Sequence, residues 1–357
     1  MRRASLFLGV FGALWGAAMS PAATATTPAP ARTHTIDVLA VPTGAHARVD
    51  YLTGRLLHTA SGRVIQLPWP RQYQDSLQLL GRGPDGWIVA YHHTATIFEV
   101  AGDGSAHLLF HYTQDGGYEG YSNLTLSTNH RLIAIRAADP SDVAHYTVYD
   151  LAGFVVGRHD WSFGWLVAFR GRSVYFPQRV STTRTHLVRW TMGQSPVDTG
   201  LRGVTLLDLP HDRYLKQVYA APRYLDKLAA VSSPARIRWS LCTDCHGQDL
   251  ISRAFSPDGT RLAYFHGSST GATTQGVTIR AASDGHVATD FGFNAKAWVE
   301  RWEDSRHLLV EVIRPQPGQT LYQAPKAVLR CDLAGRCARV TTWQHHFILD
   351  YQPPGGL

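Results

Sequence analysis

Lysine is scarce in this chain, and methionine scarcer. Of 34 basic residues only Lys216, Lys227, Lys296 and Lys326 are lysine, and there are 3 methionines in 357 residues. The arginines are scattered through strand-like segments, with no basic run longer than two. A nucleic-acid footprint needs basic side chains gathered on one face or stripe, so the formal net charge of +7 reads as solubility charge and nucleic acid is excluded as a partner. Long apolar runs are missing after the run from Leu6 to Ala18, which spans 13 residues against roughly 20 needed to cross a bilayer. The mature chain therefore has no transmembrane segment. Helical periodicity is missing as well: no segment of ten or more residues repeats its apolar positions at the helical spacing. Folds built from packed helices are excluded.

Catalytic signatures are equally absent. There is no H-E-x-x-H and no P-loop. Gly120-Tyr-Ser122-Asn-Leu124 lacks the final glycine of G-x-S-x-G, and Ser256-Pro-Asp-Gly lacks the residue that a sialidase-type Asp box places between its Asp and Gly. No residue is assigned a catalytic or metal-binding role, and no cofactor is implied.

The first residues carry an address. Met1-Arg2-Arg3, the apolar run and the small residues ending in Ala23-Thr24-Ala25 form a secretory signal peptide over residues 1–25. The general export route fits better than the twin-arginine one, and an uncleaved anchor is the alternative. Residues 26–34 form a Pro/Ala-rich spacer that has little apolar surface to bury. The expected site of action is extracytoplasmic, and the Ala- and Arg-rich composition reads as bacterial.

Internal repeats decide the fold. Phe255-Ser256-Pro257-Asp258-Gly259-Thr260-Arg261-Leu262-Ala263-Tyr264 reads as a strand, a tight turn and a second strand. Gly83-Pro84-Asp85-Gly86-Trp87-Ile88-Val89-Ala90-Tyr91 reads nearly the same, with Pro-Asp-Gly supplying the turn. Weaker copies lie at Thr43-Gly44, Asn129-His130, Gly171-Arg172, Asp212-Arg213 and Asp304-Ser305. From Gly44 through Gly86, His130, Gly171, Arg213 and Gly259 to Ser305 the steps are 42, 44, 41, 42, 46 and 46 residues. A second series of turns lies between them, at Ser61-Gly62, Asp103-Gly104, Ala152-Gly153, Met192-Gly193, Asp244-Cys245, Asp284-Gly285 and Ala334-Gly335. Two hairpins per unit make four strands, the content of a propeller blade. The expected fold is all-β: a single β-propeller over residues 35–351 with seven four-stranded blades, six or eight being the alternatives, and a tail over 352–357. Phe347-Ile-Leu-Asp-Tyr351 is left over and is expected to add a strand that closes the ring on the first blade.

The string from Ser256 to Tyr264 resembles the repeat of TolB-type, WD40-like propellers, at lower fidelity over residues 35 to 345. That resemblance implies the fold and an extracytoplasmic setting. It implies little about function, because such propellers bind proteins, carry hydrolase domains or serve structural roles.

Four cysteines in an exported chain suggest two disulfides. If Leu333-Ala334-Gly335 is a three-residue hairpin loop with Gly335 left-handed, Asp332 faces Arg336 and Cys331 faces Cys337. Cys242 and Cys245 read as a second hairpin disulfide at the outer turn of the fifth unit. The alternative is c-type haem attachment through Cys242, Cys245 and His246, since C-x-x-C-H is also that motif.

Histidine is abundant, 18 residues. His92-His93 and His345-His346 are adjacent pairs whose side chains would point to opposite faces of a strand, so neither is read as a chelate. His159-Asp160 and His211-Asp212 are assigned no role, because Asp beside a turn bonds local backbone. Trp87 and Trp302 lie beside first turns and read as core. The leading functional expectation is a non-catalytic, monomeric binding or scaffold module for a protein, peptide or glycan. The alternatives are a propeller enzyme of lyase, lactonase or glycosidase type with its site at the channel mouth, and the haem protein.

Overall fold

The computed structural model describes residues 34–112, 123–138, 143–162, 168–181, 184–220, 223–242, 249–267, 275–314, 324–344 and 348–349. These belong to one compact unit, residues 31–357. Short β-branched and aromatic runs between Asp/Gly turns make strands, and apart from two 3-10 turns, Arg71–Ser76 and His92–Thr94, no helix occurs among the described residues. None is long and apolar enough to cross a membrane.

The chain enters through β1 (His34–Ile36), so His34, placed in the spacer by sequence, is already a strand residue. Blade 1 holds β2 (Tyr51–Thr53), β3 (Leu56–His58) and β4 (Val64–Gln66). Blade 2 holds β5 (Leu77–Arg82), β6 (Trp87–Tyr91), β7 (Thr96–Val100) and β8 (Ala106–His111). Blade 3 holds β9 (Asn123–Leu126), β10 (Leu132–Ala138), β11 (Val143–Asp150) and β12 (Val155–Ser162). Blade 4 holds β13 (Ala168–Arg170), β14 (Ser173–Ser181), β15 (Arg184–Thr191) and β16 (Val197–Arg202). Blade 5 holds β17 (Val204–Asp208), β18 (Arg213–Ala220), β19 (Arg223–Ala230) and β20 (Ile237–Cys242). Blade 6 holds β21 (Asp249–Phe255), β22 (Arg261–Gly267), β23 (Gln275–Ala281) and β24 (Val287–Phe293). Blade 7 holds β25 (Lys296–Trp302), β26 (His307–Ile313), β27 (Lys326–Asp332) and β28 (Cys337–Arg339), and β29 (Ile348–Leu349) follows.

Each blade is an antiparallel meander. First strands of successive blades touch one another, β29 with β5, β5 with β9, β17 with β21 and β21 with β25, so they form the inner ring. The chain is a seven-bladed β-propeller. Blade 1 takes its innermost strand from the other end of the chain, with Tyr51 opposite Leu349 and Leu52 opposite Ile348, as the leftover apolar segment implied.

That closure corrects one expected turn. Thr43-Gly44 makes no hairpin, because blade 1 has no first strand of its own to turn from. Instead Thr43 bridges Arg339 in parallel and the Gly44 N–H donates to the Arg339 carbonyl. Residues 34–44 thus form a strap: β1 runs parallel along the outer edge of β24, Val38 and Val41 are buried in the apolar cluster between blades 6 and 7, and the chain then crosses to blade 1. A second expected turn is also corrected. The outer turn of blade 5 lies between β19 and β20, at 231–236, and not at Asp244-Cys245, which lies outside the described residues. Tyr224 to Val231, which competed for the first turn of that unit, is the third strand and its exit.

The core is seven apolar clusters, one at each seam between neighbouring blades. Several seams are filled by indole rings. Trp239 of blade 5 donates from Nε1 to the Ala282 carbonyl of blade 6, and Trp302 of blade 7 donates to Ala254 of blade 6 at 3.0 Å. The fit is close enough to dictate a glycine: a Cβ on Gly285, at φ +76°, would sit 2.8 Å from the Trp239 ring, so neither the backbone conformation nor the space admits a side chain.

The strap is predicted to carry stability. Val38→Ala should lower the unfolding free energy by about 2 kcal/mol, combining lost transfer energy and a cavity. A thermal midpoint several degrees lower is expected; an unchanged midpoint would mean that the strap does not hold the seam.

Candidate functional site

A meander places its first and third turns at one end of the ring, and its second turn and blade-to-blade connections at the other. The short-turn end is occupied with its own folding. Asp258 accepts from the Thr260 N–H and from the Ser256 hydroxyl. Asp150 accepts from the Ala152 and Phe154 N–H groups. Asp332 accepts from Ala334 and Arg336. A hydrogen bond from the Ser105 hydroxyl holds the Asp103 carboxyl below its ordinary range, and the His286 N–H does the same for Asp284.

At this end Glu303, Asp304 and His307 bring potential ligand atoms within 4.8 Å of one another. Each is already engaged. Glu303 pairs with Arg330 at 2.5 Å and accepts from the Arg48 N–H, while Asp304 caps the Arg306 and His307 N–H groups and holds the His307 ring at 2.8 Å. The trio is a turn anchored to its neighbours.

The cysteine pair of blade 7 is a cross-strand disulfide. Cys331 stands opposite Cys337 and is bonded to it, with Gly335 at φ +76° in the loop and the Asp332 N–H donating to the Arg336 carbonyl. Cys242 ends the outermost strand of blade 5, opposite Leu225, and is disulfide-bonded. Cys245 and His246 lie outside the described residues, as do His345 and His346.

The remaining histidines and tryptophans named by sequence do structural work. His159-Asp160 sits within β12 rather than beside a turn, and Asp160 meets the His145 ring across the strands at 2.8 Å. Asp212 caps the Ser232 N–H, and the His211 ring meets Asp208 at 2.9 Å. Trp87 is buried beneath the Arg82 guanidinium, 3.9 Å from its ring centroid. His92-His93 forms a 3-10 turn, not a strand. Burial pushes the His92 imidazole down to about 4; as a neutral ring it donates from Nε2 to Gln78 Oε1 at 2.9 Å and accepts at Nδ1 from the Tyr112 hydroxyl at 3.0 Å. His58, stacked on Tyr51 at 4.5 Å, is pushed to about 4 by burial and by His46.

One buried charge pair was not legible in the sequence. Asp226 on β19 is fully buried, and Arg253 on β21 of the next blade reaches it with Nε at 2.7 Å and Nη2 at 3.2 Å. Burial drives the Asp226 carboxyl up to about 6 against the pull of Arg253. The pair clamps blade 5 to blade 6.

The long-connection end presents aromatic surface. Tyr219 and Tyr224 face each other across β18 and β19 with ring centroids 5.0 Å apart. They are 60% and 46% exposed, near the end of the β18–β19 pairing.

Two predictions follow from the buried groups. Asp226→Ala strands a buried cation and should cost about 3–5 kcal/mol of stability, much of it recovered by Asp226→Leu with Arg253→Met; chemical unfolding at pH 7 reads both. His58 and His92 contribute stability that is present above pH 6.5 and lost as pH falls toward 4. Asp226 runs the other way: the part of its contribution that comes from holding a proton is full below 3.8 and is lost as pH rises through 6, while its pairing with Arg253 persists at pH 7. His92→Gln should therefore flatten the acid loss between pH 6.5 and 4, and an unaltered pH slope would contradict the burial assigned to His92.

Neither a family model nor a curated protein matches the chain. Solved structures similar to it include an uncharacterized protein from Listeria monocytogenes, at 10% identity and TM-score 0.49 over 78% of this chain and 85% of that one. A putative TolB from Agrobacterium tumefaciens aligns at 9% identity and TM-score 0.42 over 83% of this chain and 97% of its own. Prolyl oligopeptidase B from Galerina marginata aligns at 11% identity and TM-score 0.48 over 78% of this chain, which spans 43% of that enzyme. These are likenesses of fold alone, and the seven-bladed assignment stands on the chain's own strand pairing.

Proposed function

We propose that the protein is a non-catalytic, monomeric binding or scaffold module that works outside the cytoplasm and holds a protein, peptide or glycan with the long-connection end of its ring. The observation that carries this reading is the exposed Tyr219–Tyr224 pair. Aromatic rings on a rigid hairpin offer large contact area at small conformational cost, and exposed tyrosines of this kind serve as anchors in interfaces. Among the described residues of the short-turn end, the Asp150, Asp258, Asp304 and Asp332 carboxylates are bound into turns. The export address at residues 1–25 and the disulfide chemistry of Cys331, Cys337 and Cys242 support an oxidising setting.

Peptide and glycan arrays probed with the full chain test the reading. Saturable binding is expected that falls by about tenfold or more in the Tyr219→Ala, Tyr224→Ala double variant, with an unchanged unfolding midpoint. Binding indifferent to that variant, or a bound probe returned chemically altered, would count against it.

A further inference from the structure

The seam between blades 4 and 5 is built differently from the one that follows it. Blade 5 presents to blade 6 a cross-strand row of Leu206, Leu215, Leu228 and Trp239. Counted from the first turn of each blade, the same row on the corresponding face of blade 4 is Ala168, Tyr175, Arg189 and Val197. Where blade 5 has a leucine and a tryptophan, blade 4 has an arginine and a valine, and Val197 is 50% exposed. The space that an indole fills at the next seam is left open here.

The result is a cavity of about 320 Å³. Tyr175, Leu187, Val197 and Leu201 form its wall on blade 4, Leu209 and Val231 its wall on blade 5, and Arg170 and Arg189 also line it. Both arginines are exposed, and neither pairs with a carboxylate among the described residues. Further along the same seam Lys216 and Lys227 stand directly opposite each other on β18 and β19, on the face of Tyr214 and Ala229 that packs against blade 4. They too have no acidic partner among the described residues, and burial together with the Lys227 charge lowers the Lys216 ammonium. Four cations in one seam without a counter-charge form an arrangement that an anion would relieve.

We infer that this seam is a binding site for a small amphipathic carboxylate, its head group held by Arg170 and Arg189 and its apolar body lying between Tyr175, Leu201, Leu209 and Val231. The volume is at the small end of ligand pockets, which suits a small molecule and not a docked protein. Arginine presents a planar fork that matches a carboxylate with two hydrogen bonds, and the apolar walls supply the remaining affinity through burial. This site is separate from the tyrosine pair of the long-connection end and does not rest on that pair's role.

Isothermal titration of the full chain with octanoate tests the inference, with octanol, acetate and octyl phosphate as comparators. Octanoate should bind saturably at one site, and octanol (no charge) and acetate (no tail) should each bind about tenfold or more weakly. The Arg189→Leu, Val197→Trp variant rebuilds the blade 5 row in blade 4 and should abolish octanoate binding while leaving the thermal midpoint equal or higher. Arg170→Gln and Arg189→Gln, which remove charge without filling the cavity, should each weaken octanoate about tenfold and keep the inference testable should the filled variant fail to fold. No saturable octanoate binding, equal affinity for octanol, tighter binding of octyl phosphate, or indifference to both glutamine variants would overturn it.

Discussion

A four-stranded sheet with apolar side chains on both faces cannot satisfy itself, and the rest of this structure follows from how those faces are covered. Each blade buries one face against the blade before it and the other against the blade after it, giving one apolar cluster at each of seven seams. Seven blades in an open row would leave two faces wet, so the chain must close. It does so from both ends. β29 supplies the inner strand of blade 1, and the strap from His34 to Gly44 runs along the outer edges of blades 6 and 7. Pairing these edges also removes surfaces on which other chains could add a strand.

Seams filled by different means have different consequences. Tryptophan at the seam between blades 5 and 6 leaves no room even for a Cβ on Gly285. The same seam also buries Asp226 against Arg253, an arrangement whose loss costs far more than its presence contributes. Between blades 4 and 5 the corresponding row carries Arg189 and Val197, and packing stops short of closure. A cavity lined by arginines is what remains when a propeller seam is not completed.

Much of the fold was legible in the sequence because its punctuation is local. Turns of the Pro-Asp-Gly, Asp-Gly and Asp-Leu-Ala-Gly kind, with weaker copies between them, recur at blade spacing, and six of the seven expected first turns join the strands they should. Gly44 failed because ring closure takes the inner strand of blade 1 from residues 348–349, a long-range pairing that no local signal near residue 44 records. Asp244-Cys245 failed because the outer turn of blade 5 uses Ser232-Ser233-Pro234, which lacks glycine. Cys331 and Cys337 were readable from loop length and the left-handed Gly335 alone. The candidate surfaces were not. Asp226 meets Arg253, His92 meets Gln78 and Tyr112, and Arg170 joins Arg189 only once cross-strand register and blade order are known.

The ring depends on closure, and closure is tested most directly by cross-linking the partners that make it. In a Tyr51→Cys, Leu349→Cys variant the two positions face each other across β2 and β29, so mild oxidation should join them intramolecularly, seen as a peptide linking residues 51 and 349 after proteolysis and as a raised thermal midpoint that reductant reverses. Failure of those cysteines to join in the folded protein, or their joining only between molecules, would contradict a ring closed by its C-terminal strand.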